Sequence, residues 1–179
     1  MTIYIALIRG INVGGHNLIK MQDLRNSLKS IGLGHVQTYI QSGNIVFQSE
    51  DKPEKLKLQI EQVIKSEFGF LVPVILRSSP EWEEIIKNCP YAVNSISEGE
   101  SMHLALLETE PTKASMQQLL AFKSETEECY INGKEIYVYL RKSFHRAKLP
   151  IQIQKLGVSA TVRNWKTIKK LDAMVNAMK

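Results

Sequence analysis

With 179 residues, 44% of them hydrophobic, the chain is long enough for one packed domain or two small ones and needs no staple to hold a core. Cys89 and Cys129 form no CxxC and have no histidine at metal spacing, which sets aside a disulfide framework and a zinc ribbon. The pattern reads as a reduced, cytoplasmic protein, with a single Cys89–Cys129 disulfide as the alternative.

The net charge of +5 is unevenly spread: residues 141–179 carry ten Lys or Arg against Asp172 alone, and the rest of the chain is net acidic. Such asymmetry suits an acidic partner such as a nucleic acid or a phosphorylated molecule, or simply a solvated basic helix face. No stretch approaches the length of a membrane span. The apolar run Ile3–Ile8 has no basic segment before it, so it is expected to be a strand rather than a signal peptide.

In chain order, Ile3–Arg9 reads as a β-branched strand, and Met21, Leu24, Leu28 and Ile31 then recur at helical spacing up to Gly32. Val36–Gln41 and Asn44–Gln48 are expected to pair across a tight turn at Ser42-Gly43. Asp51 is expected to cap a helix with Pro53 in its first turn and Leu56, Ile60, Val63, Ile64 and Phe68 along its buried stripe. Gly69 ends that helix, and Phe70–Arg77 returns as an edge strand in which Pro73 is tolerated. The order β-α-β-β-α-β is the ferredoxin-like pattern.

After a helix capped by Ser79-Pro80 and a polar connector from Tyr91 to Glu100, the same order recurs. Met102–Leu107 is a strand, Lys113–Phe122 a helix, and Glu128–Ile131 and Glu135–Arg141 are expected to pair across Asn132-Gly133. A short helix, Pro150–Leu156, is stopped by Gly157 and followed by a strand, Ala160–Arg163. A last helix from about Asn164 to Met178 carries Trp165, Ile168, Leu171, Val175 and Met178 on its apolar side. The fold expected is therefore α+β, with a ferredoxin-like subdomain at 1–78, a helix and connector at 79–100, and a second subdomain with a C-terminal helix at 101–179.

Arg9-Gly10-Ile11-Asn12-Val13-Gly14-Gly15-His16-Asn17 joins the first strand to the first helix. Glycine is costly to order, so this density of it points to positive φ or to close approach of a ligand to the backbone. Arg9, Asn12, His16, Asn17 and Lys20 surround the loop with donors, which suits an anion. A P-loop fails, because His16 and Asn17 stand where the phosphate-gripping lysine and the Mg²⁺-binding hydroxyl belong. No G-x-G-x-x-G fingerprint occurs in the loop.

Ser42 lies in Gln-Ser-Gly-Asn rather than a nucleophile elbow and reads as a turn serine. The histidines (16, 35, 103 and 145) show no i, i+4 pair, so no metal site is visible. His16 is the best acid–base candidate, with an exposed loop histidine as the plainer reading. The carboxylate pairs Glu83-Glu84 and Glu127-Glu128 read as solvated faces. At Arg163-Asn164-Trp165, Asn164 suits an N-cap and Trp165 a core position, which leaves Arg163 beside a helix N-terminus to hold a phosphate or carboxylate.

The strings YIALIRGINVGG, IKM, TYIQSGNIVF and LGVSATVRNW resemble the bacterial domain-of-unknown-function family 1697 over essentially the whole chain. The resemblance implies an α+β plait of two ferredoxin-like subdomains and supplies no catalytic residue. His16 stands where relatives commonly carry lysine, and Pro150-Ile151 where they commonly carry Ser/Thr-Asn.

The preferred functional expectation is a site for a small phosphate- or carboxylate-bearing ligand. It would be built from Arg9, Gly10, Asn12, Gly14, Gly15, His16, Asn17 and Lys20, with Arg163 and Asn164 as further contacts. The alternatives are nucleic-acid binding on the basic C-terminal face, although no RNP signature is present, and a protein–protein adaptor. No cofactor, metal or catalytic residue is assigned by the sequence.

Overall fold

A computed structural model describes residues 1–179. The chain forms two compact units, one of residues 1–84 with 170–179 and the other of residues 85–169. The first contains β1 (Thr2–Ile8), α1 (Met21–Ser30), β2 (Gly34–Tyr39), β3 (Asn44–Ser49), α2 (Pro53–Phe68) and β4 (Val74–Ser78). Its antiparallel sheet has the order β2-β3-β1-β4, the ferredoxin-like arrangement. Next comes α3 (Ser79–Lys87), within which the division between the units falls.

Tyr4, Ala6 and Ile8 of β1 and Ile45 and Phe47 of β3 pack against Met21, Leu24 and Leu28 of α1 and Leu56, Ile60 and Ile64 of α2. Strand periodicity of two and helix periodicity near 3.6 bring these side chains to one layer. Phe47 is fully buried and its ring stacks on Tyr4 at 5.7 Å. The opposite strand face, with Ile5, Leu7, Val46 and Ile75, is also buried. Burial on both faces is why β1 reads as a continuous apolar run rather than an alternation.

The second unit repeats the topology with β5 (Ser101–Leu107), α4 (Lys113–Leu120), β6 (Glu127–Asn132), β7 (Glu135–Leu140), α5 (Leu149–Ile153) and β8 (Ala160–Asn164). Its sheet order is β6-β7-β5-β8. Short 3₁₀ turns occupy Val93–Ser95 and Phe144–Arg146, and α6 (Trp165–Ala177) follows β8 directly. The core gathers Ala105, Leu107, Cys129, Ile136, Val138, Leu149 and Ile153. Residues 170–179, the rest of α6 and the C-terminus, belong to the first unit, where Lys179 pairs with Glu83.

Four local expectations are corrected. The β2–β3 connection is a four-residue loop, Ile40–Gly43, rather than a two-residue turn, with φ of +50° at Ile40 and +83° at Gly43. The β6–β7 turn lies one residue later than Asn132-Gly133. Asn132 pairs with Glu135, so Gly133 (φ +62°) and Lys134 are the central residues, with glycine in the first position as a II′ turn demands. Asp51 does not cap α2: its carboxylate holds Lys55 at 2.8 Å, and Pro53 opens the helix. Pro73 precedes β4 rather than lying within it, and its carbonyl accepts the Arg9 amide at 3.1 Å.

Glu127 is the clearest departure from the sequence reading. It is a buried strand residue, not part of a solvated face. Its Oε1 accepts the backbone amides of Lys148 and Leu149 at 2.7 and 2.9 Å, and Lys142 Nζ lies 3.2 Å from Oε2. The carboxylate thereby satisfies the opening turn of α5, a helix of only five residues that begins with Leu149-Pro150 and has no side-chain cap of its own.

Candidate functional site

The glycine loop is a miniature hairpin. Val13 bridges to His16, whose amide donates to the Val13 carbonyl at 3.0 Å, and Gly14 and Gly15 have φ of +57° and +76°. Positive φ at both central residues defines a I′ turn, the geometry for which two glycines are favoured. The Asn12 amide donates to the Asn17 carbonyl at 3.1 Å and continues the ladder.

Side chains then fix this hairpin in place. Asn12 Nδ2 donates to the carbonyls of Ile19 (3.0 Å) and Gln41 (2.7 Å), and Asn12 Oδ1 accepts the Ile19 amide at 2.8 Å. Asn17 Nδ2 donates to the Gly10 carbonyl at 3.0 Å. Both asparagines have positive φ, which this residue type tolerates better than most. Their side chains are therefore occupied in holding backbone. Arg9, Gly14, Gly15, His16 and Lys20 remain exposed around the turn, and residues 9–22 contain no acid.

Arg163 and Asn164 lie in the second unit. Arg163 is half-buried, and its Nη1 donates to Thr161 Oγ1 at 2.6 Å and to the Val162 carbonyl at 3.1 Å. Burial lowers its pKa to about 10. Asn164 is exposed and caps α6, its Oδ1 accepting the Thr167 amide at 2.8 Å. Sequence inspection missed the counterpart of Arg163. In register, Arg77 lies opposite Ile5 as Arg163 lies opposite Leu104, and Arg77 Nη1 also donates to the preceding carbonyl, that of Leu76, at 3.0 Å. Aligning the two edge strands, Leu76-Arg77-Ser78 and Val162-Arg163-Asn164, reveals the pair.

Asn164 also lines a cavity of about 650 Å³ inside the second unit, together with Cys89, Tyr91, Ile96, Met102 and Trp165. The connector after α3 forms one wall, and an acid and an aromatic pair hold that connector. Tyr139 donates its hydroxyl proton to Glu100, Arg141 Nε lies 3.8 Å from Glu100, and the rings of Tyr91 and Tyr139 are 5.4 Å apart. The Tyr139 hydrogen bond holds the Glu100 carboxyl below its ordinary pKa. Arg141 also lies over the Tyr139 ring at 4.9 Å and pairs with Glu128 at 2.9 Å. The aromatic pair therefore already has its cation.

Burial raises the pKa of the Cys89 thiol, which donates to the Tyr91 carbonyl at 3.7 Å; burial likewise raises Cys129 to about 11. Both are free thiols held in the protonated form, the reverse of an activated nucleophile. Buried His103, whose Nε2 lies 2.9 Å from Ser101 Oγ, is lowered to about 4 by desolvation and is neutral at pH 7. No group of three or more His, Cys, Asp or Glu is placed to hold a metal ion, and no helix is long and apolar enough to cross a membrane.

Two units, each a four-stranded antiparallel sheet in the ferredoxin-like order, define an α+β protein. The chain belongs to the DUF1697 family of proteins of unknown function, whose sequence profile matches residues 1–137. Its fold is shared with the conserved bacterial protein SP0830 from Streptococcus pneumoniae, at a TM-score of 0.77 and 28% identity over 97% of this chain and 98% of that one. None of the curated proteins searched matches the chain.

Proposed function

We propose that this is a cytoplasmic protein that binds a small anion, a phosphate- or carboxylate-bearing molecule, at the glycine hairpin. The observation that carries this reading is the division of labour in the loop. Asn12 and Asn17 hold the backbone, while the Gly14-Gly15 tip stands exposed with no side chain to shield its amides. Arg9 and Lys20 give the segment positive charge, and no carboxylate within residues 9–22 offsets it. A loop ordered in advance loses less entropy when a ligand docks, and backbone amides beside cations favour an anion.

The test is a titration of ¹⁵N-labelled protein with inorganic phosphate and pyrophosphate, following the Gly14 and Gly15 amides. Saturable shifts that weaken about fivefold in Arg9→Ala and Lys20→Ala support the reading, a loss typical of one charge-assisted contact at an exposed site. Absence of any saturable shift at millimolar phosphate leaves the hairpin as a structural clasp and rejects it.

A further inference from the structure

We propose that the loop end of the first unit docks on an anionic membrane surface. The proposal rests on the anion reading of the glycine hairpin and assigns the source of the anion, the phosphate of a lipid headgroup.

Three connections meet at this end: the β1–α1 loop (9–20), the β2–β3 loop (40–43) and the α2–β4 loop (69–73). They adjoin strand ends that the register places side by side, Ile8 opposite Val74 and Leu7 opposite Asn44. Hydrogen bonds tie them together, from the Arg9 amide to the Pro73 carbonyl at 3.1 Å and from Asn12 Nδ2 to the Gln41 carbonyl at 2.7 Å. Each loop carries aliphatic side chains into solvent: Val13 is 64% exposed, Leu18 67%, Ile40 50% and Leu71 69%. These are four of the nine large hydrophobic side chains exposed in the whole chain, although the three loops are a small part of it. Single apolar residues scattered over a surface are ordinary; a cluster of them at one end marks a contact surface. Ile40 is the sharpest case. A β-branched residue in left-handed backbone (φ +50°) is strained, and its exposed side chain returns no burial within the fold.

Charge selects the occupant. No residue of the three loops is an acid, whereas Arg9 and Lys20 are exposed cations. The nearest acids along the chain are Asp23 and Glu67. Glu61, which accepts the Val74 amide at 3.2 Å, is paired with Lys57 at 2.9 Å. A second copy of the chain would set cation against cation, and a small soluble anion would leave the aliphatic side chains in water. An acidic protein would need hollows matched to three separate loops, whereas a fluid bilayer takes them without matched shape. A bilayer also presents phosphate immediately above hydrocarbon. The hairpin interleaves the same two chemistries: Val13 and Leu18 flank the Gly14-Gly15 turn, and Arg9 and Lys20 lie outside them. The attachment is peripheral, with the aliphatic side chains at the boundary between headgroups and acyl chains; no helix is long and apolar enough to cross.

The test is co-sedimentation of the full chain with vesicles of phosphatidylcholine alone and of phosphatidylcholine mixed with phosphatidylglycerol. Saturable binding is expected on the mixed vesicles and about tenfold weaker binding on phosphatidylcholine, as two basic residues near the surface require. Val13→Asn/Leu18→Asn/Leu71→Asn, changes at exposed side chains, should weaken binding to mixed vesicles about tenfold. The same variant should leave the affinity for inorganic phosphate, read at the Gly14 and Gly15 amides, unchanged. Lys166→Ala/Lys170→Ala, on exposed positions of α6, should leave vesicle binding as it is. Absence of binding to mixed vesicles overturns the proposal and turns the apolar end over to a protein partner; a phosphate response that survives this result leaves the hairpin reading standing. The proposal is equally overturned if the triple asparagine variant binds vesicles as tightly as the unaltered chain, or if the Lys166/Lys170 variant abolishes binding.

Discussion

Gly43 and Ile8 are locked together: the Ile8 amide donates to the Gly43 carbonyl at 2.8 Å, and a Cβ placed on Gly43 would lie 2.9 Å from Ile8 Cβ. The same added carbon would meet Ile11 Cδ1 at 2.9 Å. Together with the Asn12–Gln41 hydrogen bond, this joins the glycine hairpin and the β2–β3 loop into one structural element. The two motifs are thus halves of a single clasp at one end of the first sheet.

Gly43→Ala is therefore expected to be among the most damaging small substitutions in the chain. A left-handed backbone at a residue with Cβ costs about 1–2 kcal/mol, and overpacking against Ile8 and Ile11 adds about 1–3 kcal/mol. Urea denaturation should show a loss of about 3 kcal/mol, whereas alanine at exposed Gly15, where nothing lies within 4 Å of the added carbon, should cost only the backbone strain.

Asn12→Ala removes three hydrogen bonds to backbone and leaves alanine at φ +54°. At about 1 kcal/mol for each bond, the expected loss is about 3 kcal/mol. Asn12→Asp keeps the acceptor for the Ile19 amide and should cost less. Hydrogen exchange at Ile19 separates the two variants: protection falls sharply in the alanine variant and is largely kept in the aspartate.

Removing the buried Glu127 carboxylate leaves the Lys148 and Leu149 amides without an acceptor and Lys142 without its partner. Glu127→Ala is expected to cost about 3 kcal/mol, as loss of a buried charged partner does. Glu127→Gln retains the oxygen that receives both amides and should cost about 1 kcal/mol. Thermal unfolding of the two variants tests the order, and an equal loss in both would remove the capping role.

His103 makes stability depend on pH. Its pKa is lowered from 6.5 to about 4 by burial, so in that interval the unfolded chain binds more protons than the folded one. Stability is then full above about pH 6.5 and declines as pH falls toward 4, by up to about 3 kcal/mol. In His103→Phe this part of the acid dependence should disappear. Denaturation midpoints at pH 7.5 and 4.5 would show it, and an unchanged difference between the two would assign the acid sensitivity to other groups.

The sequence by itself determined the order and kind of the main elements, because each is written in local chemistry. A continuous β-branched apolar run marked Ile3–Ile8, period-3.6 patterning marked the stripe Met21-Leu24-Leu28, and Gly32 and Gly69 marked helix stops with positive φ, whereas the helix expected to run to Gly157 already ends at Ile153. The asparagine that caps α6 was legible for the same reason. What only the tertiary structure decided are relations between residues far apart in the chain. The one-residue shift of the turn at Gly133, the capping of α5 by a strand glutamate 21 residues earlier, and the clasp of Asn12 on Gln41 all depend on strand register. So does the cavity, whose walls join the connector to the start of α6 only once β5 and β8 are paired. Periodicity records which face of an element is buried; it carries no record of the partner that buries it, because that choice is made when the sheet closes.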